Sequence, residues 1–356
     1  MTTPERQADL VIIGLGLAGA ALAWRAAARS LDVLVVDDAA DTAASRVAAG
    51  LVTPLTGAKL KPEGRFDELA SAAAAHYREV GHITGVEAYR ARPACRVLSG
   101  PRELDAWRKL DAAGHPLAQR WEGALPAGVR SPGIAIRMPD AGRLAIADYV
   151  TATRTYFAER DALIEATISD ESVVADQRSV RLPELGIAAG NAVFCRGFAD
   201  HDNRYFGALG WRAAKGQILE LDCPGFDERF TIHGSGTWLT ASGAATVLAG
   251  ATYEWDTLDA TATAAARQQL TANIESVIDL PFEIVGQRAA VRPIVEGRKP
   301  VIGQSALSDR VWLFNGLGSK GALFAPSVAQ ALLSNMAADR PIPPEFSLAE
   351  RLARPT

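Results

Sequence analysis

Residues 10–19 read LVIIGLGLAG, an apolar, β-branched run that breaks into Gly14, Gly16 and Gly19 at the spacing G-x-G-x-x-G. Glycines so spaced can hold a dinucleotide pyrophosphate. Gly14 allows a tight turn, Gly16 lets the backbone approach phosphate oxygens, and Gly19 lets a helix pack closely on the strand before it. The start of that helix adds free N–H groups and a partial positive charge. A second apolar run, 32–36, ends in Asp37, at the distance where an acidic side chain accepts hydrogen bonds from an adenosine ribose.

These residues need a strand, a turn and a helix to position them, and the sequence supplies all three. The run before the glycines suits a strand buried on both faces, and AALAWRAAARS after them is built of strong helix formers. The apolar stretch is too short to span a bilayer. Glu5 and Asp9 precede it where a secretory signal carries basic charge, and no later stretch is long and apolar enough to cross.

The chain has 356 residues, 48% of them hydrophobic, enough for two domains or one domain with a large insertion. Its net charge of −4 and scattered basic residues give no phosphate-tracking surface, so no nucleic-acid partner is expected. Cys95, Cys195 and Cys223 are odd in number and far apart, which reads as reduced thiols in a cytoplasmic protein. The five histidines, His76, His82, His115, His201 and His233, show no spacing that would set two imidazoles on one helix face, so no metal is expected.

Further along, residues 45–57 read as an ordered loop and 65–80 as an amphipathic helix. From 87 to 143 the pattern turns to short strand-like pieces divided by Pro and Gly, with a helical piece at 103–113, and 146–160 is a further helix. NAVFCRG, 191–197, is an apolar strand ending in Gly197 that returns the chain to the first sheet. Residues 214–251 form a series of short strands, the mark of an antiparallel sheet, before a helix at 260–278. Residues 311–337 repeat the opening logic of strand, glycine turn and helix. The nucleotide-binding part is therefore expected to be discontinuous, with a sheet domain inserted.

Several motifs together resemble the D-amino acid oxidase superfamily of FAD-dependent amine oxidoreductases: GLGLAG, Asp37, SRVAAGLVTP, KGQ at Lys215, GATYEW at Gly250, VRPIVEGRKPVIG and GLGSKGALFAP. The resemblance covers nearly the whole chain and is nearest to the oxidase part of the tRNA-modifying enzyme MnmC. It implies an α/β fold, with a Rossmann-like FAD-binding domain from 1–82, 144–210 and 288–356 and an antiparallel-sheet substrate domain from 83–143 and 211–287. It places the pyrophosphate of a non-covalent FAD on Gly14, Gly16, Leu17, Ala18 and Gly19, and the ribose on Asp37. Ser45, Arg46, Ala49 and Gly50 would line the diphosphate and flavin ring, with Gly197 also at the cofactor. Gly318, Ser319, Lys320 and Gly321 would lie by the pyrimidine end.

There a cation and a helix start can stabilise charge on reduced flavin. Lys320 is equally readable as a solvated surface charge. In related oxidases the position of Arg292 holds a substrate carboxylate, a task suited to a planar, bidentate, permanently charged donor. A salt bridge to Glu296 is its alternative reading. Tyr253 and Trp238 either line the pocket or are ordinary core and sheet residues. The implied reaction is oxidation of the C–N bond of a small amino or secondary amino acid, with hydride passing to flavin N5 and no dedicated base. Its product is an imine, and O2 is the expected acceptor, giving H2O2. The alternatives are a dehydrogenase passing electrons to a quinone or carrier, and a flavin- or NAD-binding protein without turnover.

Overall fold

The computed structural model describes residues 5–130, 133–206, 209–243 and 245–353. Two eight-stranded sheets organise the chain. The first has a parallel centre in the order Leu163–Glu165, Val33–Asp37, Arg6–Ile13, Ile187–Phe194 and Ser308–Asn315. Val301–Ser305 adds an antiparallel edge strand beside Ser308–Asn315, and Val180–Leu182 pairs with the first half of Ile187–Phe194. The central strands come from three distant stretches, so this sheet is discontinuous in sequence, as expected.

Leu10 to Ile13 and Val33 to Val36 are buried, which is why both runs are apolar at successive positions rather than at alternate ones. On one face lie the helices Leu17–Ala27, Phe66–Thr84 and Gly321–Met336, where Leu22, Trp24, Tyr77 and Phe324 share one core. Full burial of side chains such as Leu22 and Phe324 stabilises the fold by about 1.5–3 kcal/mol each. On the other face Val11, Ile13, Phe194, Phe206 and Leu313 form a second core.

The second sheet runs Glu283–Arg292, Ala214–Asp222, Thr246–Gly250, Thr237–Ala241, Thr231–Gly234, Ala94–Val97, Ala135–Met138 and Gln119–Arg120. Its neighbours are antiparallel except Thr231–Gly234 beside Ala94–Val97, which are parallel. The parallel pair falls where strands from two separate stretches of chain meet, so no hairpin dictates their relative direction. The helix Ala264–Val277 covers this sheet through Leu270, Ile274 and Val277.

Local outcomes correct three expectations. Residues 45–57 are not simply loop: a short helix, Ala44–Val47, precedes the strand Leu51–Val52, which joins Gly142–Leu144 and Tyr89–Ala91 in a small sheet. Gly50, at φ +73°, makes the intervening turn, and its carbonyl accepts from the Leu144 amide at 2.9 Å. The helix expected at 260–278 starts only at Ala264, because Thr263 caps it by accepting from the Ala266 amide. The border drawn at 287/288 falls inside Glu283–Arg292, a strand paired with Ala214–Asp222 on both sides of an irregularity at Val285, so Arg292 belongs to the second sheet.

Candidate active site

The first glycine turn is built by close backbone approach. Gly14 has φ +100°, and a Cβ there would lie 2.9 Å from the Cys195 carbonyl. A Cβ on Gly19 would come within 1.9 Å of the Gly14 carbonyl oxygen. No side chain caps the helix at Gly16. The Leu17 amide donates to Ser45 Oγ at 2.9 Å, tying the 45–57 segment to the start of the helix.

From this turn a cavity of about 580 Å³ runs between the two sheets. Of the residues expected at the cofactor, Gly14, Gly16, Leu17, Ala18, Asp37, Ser45, Ala49, Gly50, Gly197, Gly318, Ser319 and Gly321 line it. Three do not. Gly19 sits behind the turn as a packing position. The Arg46 guanidinium pairs with Asp41 at 3.6 Å, and its carbonyl accepts from Arg288. The Lys320 ammonium donates to Glu63 at 3.3 Å, a carboxylate that Lys299 also holds. The two lysines keep Glu63 ionised below the usual carboxylate range, against the cost of its burial.

Asp37 accepts from the Leu15 amide at 2.6 Å and the Ala39 amide at 3.0 Å, and pairs with Arg154, which also reaches Glu165. Three donors occupy a group with about four acceptor sites, leaving room for one more. Arg154 carries no local motif. It lies on the helix Ile146–Ala158, far from Asp37 in sequence.

Two strand ends meet at the second glycine turn. Asn315 donates to the Gly197 carbonyl at 2.9 Å and to Asp200 at 3.1 Å, and accepts from the Gly316 amide at 2.8 Å. Asp200 also accepts from Arg196 Nε at 2.7 Å and from Asn203 at 3.0 Å. Burial pushes the Asp200 carboxyl up, and Arg196 opposes that shift. This buried network fixes Gly197 against the 316–321 turn, and its asparagine and aspartate carry no recognisable sequence signal.

Arg292 ends its strand inside the same cavity. Its Nη1 donates to the Thr252 carbonyl at 3.1 Å, and the guanidinium lies 4.2 Å from the centre of the Tyr253 ring. Burial lowers its pKa from the ordinary arginine value, with Tyr253 pushing the other way. Among the described residues no carboxylate pairs with it, and Glu296 reaches Arg212 instead, at 4.0 Å. Tyr253 and Trp238 both line the cavity. Sequence reading left Gly216 without a role, although a side chain there would fill the space the guanidinium takes.

A cavity with a glycine-lined helix start whose first amide is held by Ser45, an acidic strand end beside it and a second glycine turn beyond fits an elongated dinucleotide. Among the described residues no three His, Cys, Asp or Glu side chains gather as a metal site, and no helix is long and apolar enough to cross a membrane. Cys95, Cys195 and Cys223 are buried free thiols.

Comparison with known proteins agrees with this geometry. The chain is 29% identical to the tRNA 5-methylaminomethyl-2-thiouridine biosynthesis bifunctional protein MnmC of Caulobacter vibrioides, over 98% of this chain and 58% of that protein. It thus spans less than two thirds of the length of that curated relative. Glycine oxidase from Geobacillus kaustophilus superposes with a TM-score of 0.80 at 19% identity, over 98% of this chain and 99% of that one. Iminodiacetate oxidase from Chelativorans sp. BNC1 superposes with a TM-score of 0.76 at 19% identity, over 94% and 96% of the two chains. The model of the DAO family, FAD dependent oxidoreductase, matches residues 9–334. The chain belongs to the DAO family of FAD-dependent oxidoreductases, and its cofactor is FAD.

Proposed function

We propose that this oxidoreductase oxidises the C–N bond of a small amino or secondary amino acid whose carboxylate is held by Arg292. The observation that carries the reading is Arg292 itself, a guanidinium in the cavity with no carboxylate partner among the described residues. A carboxylate entering there would form a charge-assisted pair worth about 1.5–3 kcal/mol. The names of the structural neighbours, glycine oxidase and iminodiacetate oxidase, support an amino-acid substrate.

We assign the pyrophosphate of FAD to Gly14, Gly16, Leu17 and Ala18, the ribose to the free acceptor site of Asp37, and the ring system to Ala49, Gly50 and the 318–321 turn. The chemistry supplied by FAD held there would be two-electron oxidation of the carbon beside a neutral amine to an imine, with O2 as the final acceptor giving H2O2. The protein's share is alignment: Arg292 fixes one end of the substrate, and the sheet behind it sets the distance to the cofactor space. No side chain is assigned as a base. The MnmC likeness would direct the same reaction to an aminomethyl group on tRNA, but a net charge of −4 gives no general attraction for RNA and favours the small substrate. The three buried free thiols support a cytoplasmic location.

The test is the visible absorbance of the purified protein, recorded anaerobically against amino acids, N-methyl amino acids and simple amines. Bleaching by acids but not by the matching amines is expected. A yellow protein that none of them bleaches would sink the reading. Peroxide formed per turnover in air then separates O2 from a quinone or carrier as acceptor.

A further inference from the structure

We infer that the substrate carries a planar aromatic group, which stacks on Tyr253 and Trp255 at the cavity rim while its carboxylate sits on Arg292. The inference rests on the carboxylate reading above and adds the substrate's distal chemistry. The segment following the strand Thr246–Gly250 exposes Tyr253 by 51%, Trp255 by 47% and Leu258 by 37%. Single exposed apolar side chains are ordinary. Here three fall within six residues, and Tyr253 and Leu258 line the cavity that contains Arg292.

This segment exposes large apolar side chains beside its polar ones, Asp256 and Thr257. Two of its charged side chains tie it down: Asp259 accepts from Lys215 Nζ at 2.6 Å, and Glu254 accepts from Gln217 Nε2 at 2.7 Å. Lys215 is only 1% exposed, so the tether is anchored within the sheet. The Thr252 hydroxyl accepts from the Gln217 amide at 3.0 Å. With these side chains fixed, the apolar ones between them are held in water instead of folding inward. Apolar surface kept exposed on an anchored segment is preorganised for a ligand.

The geometry selects the kind of ligand. The Tyr253 ring lies 4.2 Å from the Arg292 guanidinium, and the Trp255 ring lies 6.1 Å from it in turn, inclined by only 28°. The guanidinium, the Tyr253 ring and the Trp255 ring thus follow one another in series, the last of them the outermost from Arg292. A carboxylate on Arg292 sets the next groups of a small acid against the rings, where a flat ring gains offset stacking that a puckered aliphatic ring does not.

Equilibrium binding to the FAD-loaded protein, read by perturbation of the flavin spectrum, tests this with phenylacetate, cyclohexylacetate and acetate, which share the carboxylate and differ in the ring. Phenylacetate is expected to bind about tenfold tighter than acetate, and tighter than cyclohexylacetate. Trp255→Ala should reduce the gain over acetate to less than about threefold, and Trp255→Phe should restore most of it. Equal affinity for phenylacetate and acetate, equal affinity for phenylacetate and cyclohexylacetate, or a gain untouched by Trp255→Ala would each overturn the inference, the last pointing to a macromolecular partner for the rim. Acetate bound equally well by Arg292→Met would instead overturn the carboxylate reading beneath it.

Discussion

The Arg292 guanidinium lies over Gly216 of the adjoining strand, so closely that a Cβ at 216 would sit 2.1 Å from Arg292 Cζ. The register sets Ala214 opposite Arg292, which makes Gly216 the diagonal neighbour on the same face. A bare backbone at 216 is therefore what lets the arginine lie flat along the sheet beneath Tyr253. The clash would be with the end of a flexible side chain, so a larger residue at 216 moves the arginine rather than unfolding the sheet.

Two substitutions should converge on one phenotype. Arg292→Met is expected to raise KM for carboxylate substrates by about one to two decades. Gly216→Ala should act in the same direction by about tenfold, by displacing the guanidinium. Both variants should purify with FAD absorbance intact. Initial rates across substrate concentration decide it, and an unchanged KM in either variant would remove that residue from the substrate site.

Gly19→Ala should be a folding defect. Its Cβ would meet the Gly14 carbonyl oxygen at 1.9 Å, a backbone atom that cannot rotate away. The expected loss is about 3 kcal/mol, the upper end of overpacking costs. Gly64→Ala serves as the reference, since nothing lies within 4 Å of a Cβ there, and its effect should stay within about 0.5 kcal/mol. Urea midpoints of the two variants, compared at constant slope, check the difference.

Features written in neighbouring residues were legible in the sequence. Gly14, Gly16 and Gly19 declare strand, turn and helix because steric demands on a backbone act over a few residues, and the short second-sheet strands declare themselves by the turn residues between them. What stayed hidden depends on partners distant in the chain. Arg154 reaches Asp37 from another helix, Glu63 draws Lys320 away from the glycine turn beside it, and Gly216 matters only once register sets it against Arg292. The parallel pairing of Thr231–Gly234 with Ala94–Val97 is of the same kind.

Lys320 separates the two readings of a lysine beside a helix start. Its ammonium is partnered by Glu63, which Lys299 shares, so its field at the cavity is largely cancelled. Lys320→Met should therefore change KM by less than about twofold and leave the flavin reduction potential within about 30 mV, equivalent to about 1.4 kcal/mol for two electrons. Potentiometric titration of the variant against the parent is the check. A larger shift would return the lysine to the flavin.

Acid sensitivity should trace in part to His76. The ring is 1% exposed, hydrogen-bonded to the Tyr149 hydroxyl at 2.9 Å and packed edge-on against Tyr77. Burial, with Arg25 adding repulsion, holds its pKa down to about 3, against 6.5 for the free side chain. Between those two values the unfolded chain takes up a proton that the folded chain refuses. The histidine is thus tolerated above pH 6.5, and stability is lost as pH falls from there toward 3, at a rate approaching about 1.4 kcal/mol per pH unit. Gln at this position can still bond Tyr149 but cannot titrate. Urea unfolding of the parent and His76→Gln at pH 7.5, 6.5, 5.5 and 5.0 should show the two curves separating below pH 6.5, the parent falling more steeply. Parallel curves would mean that His76 takes up its proton in the folded state.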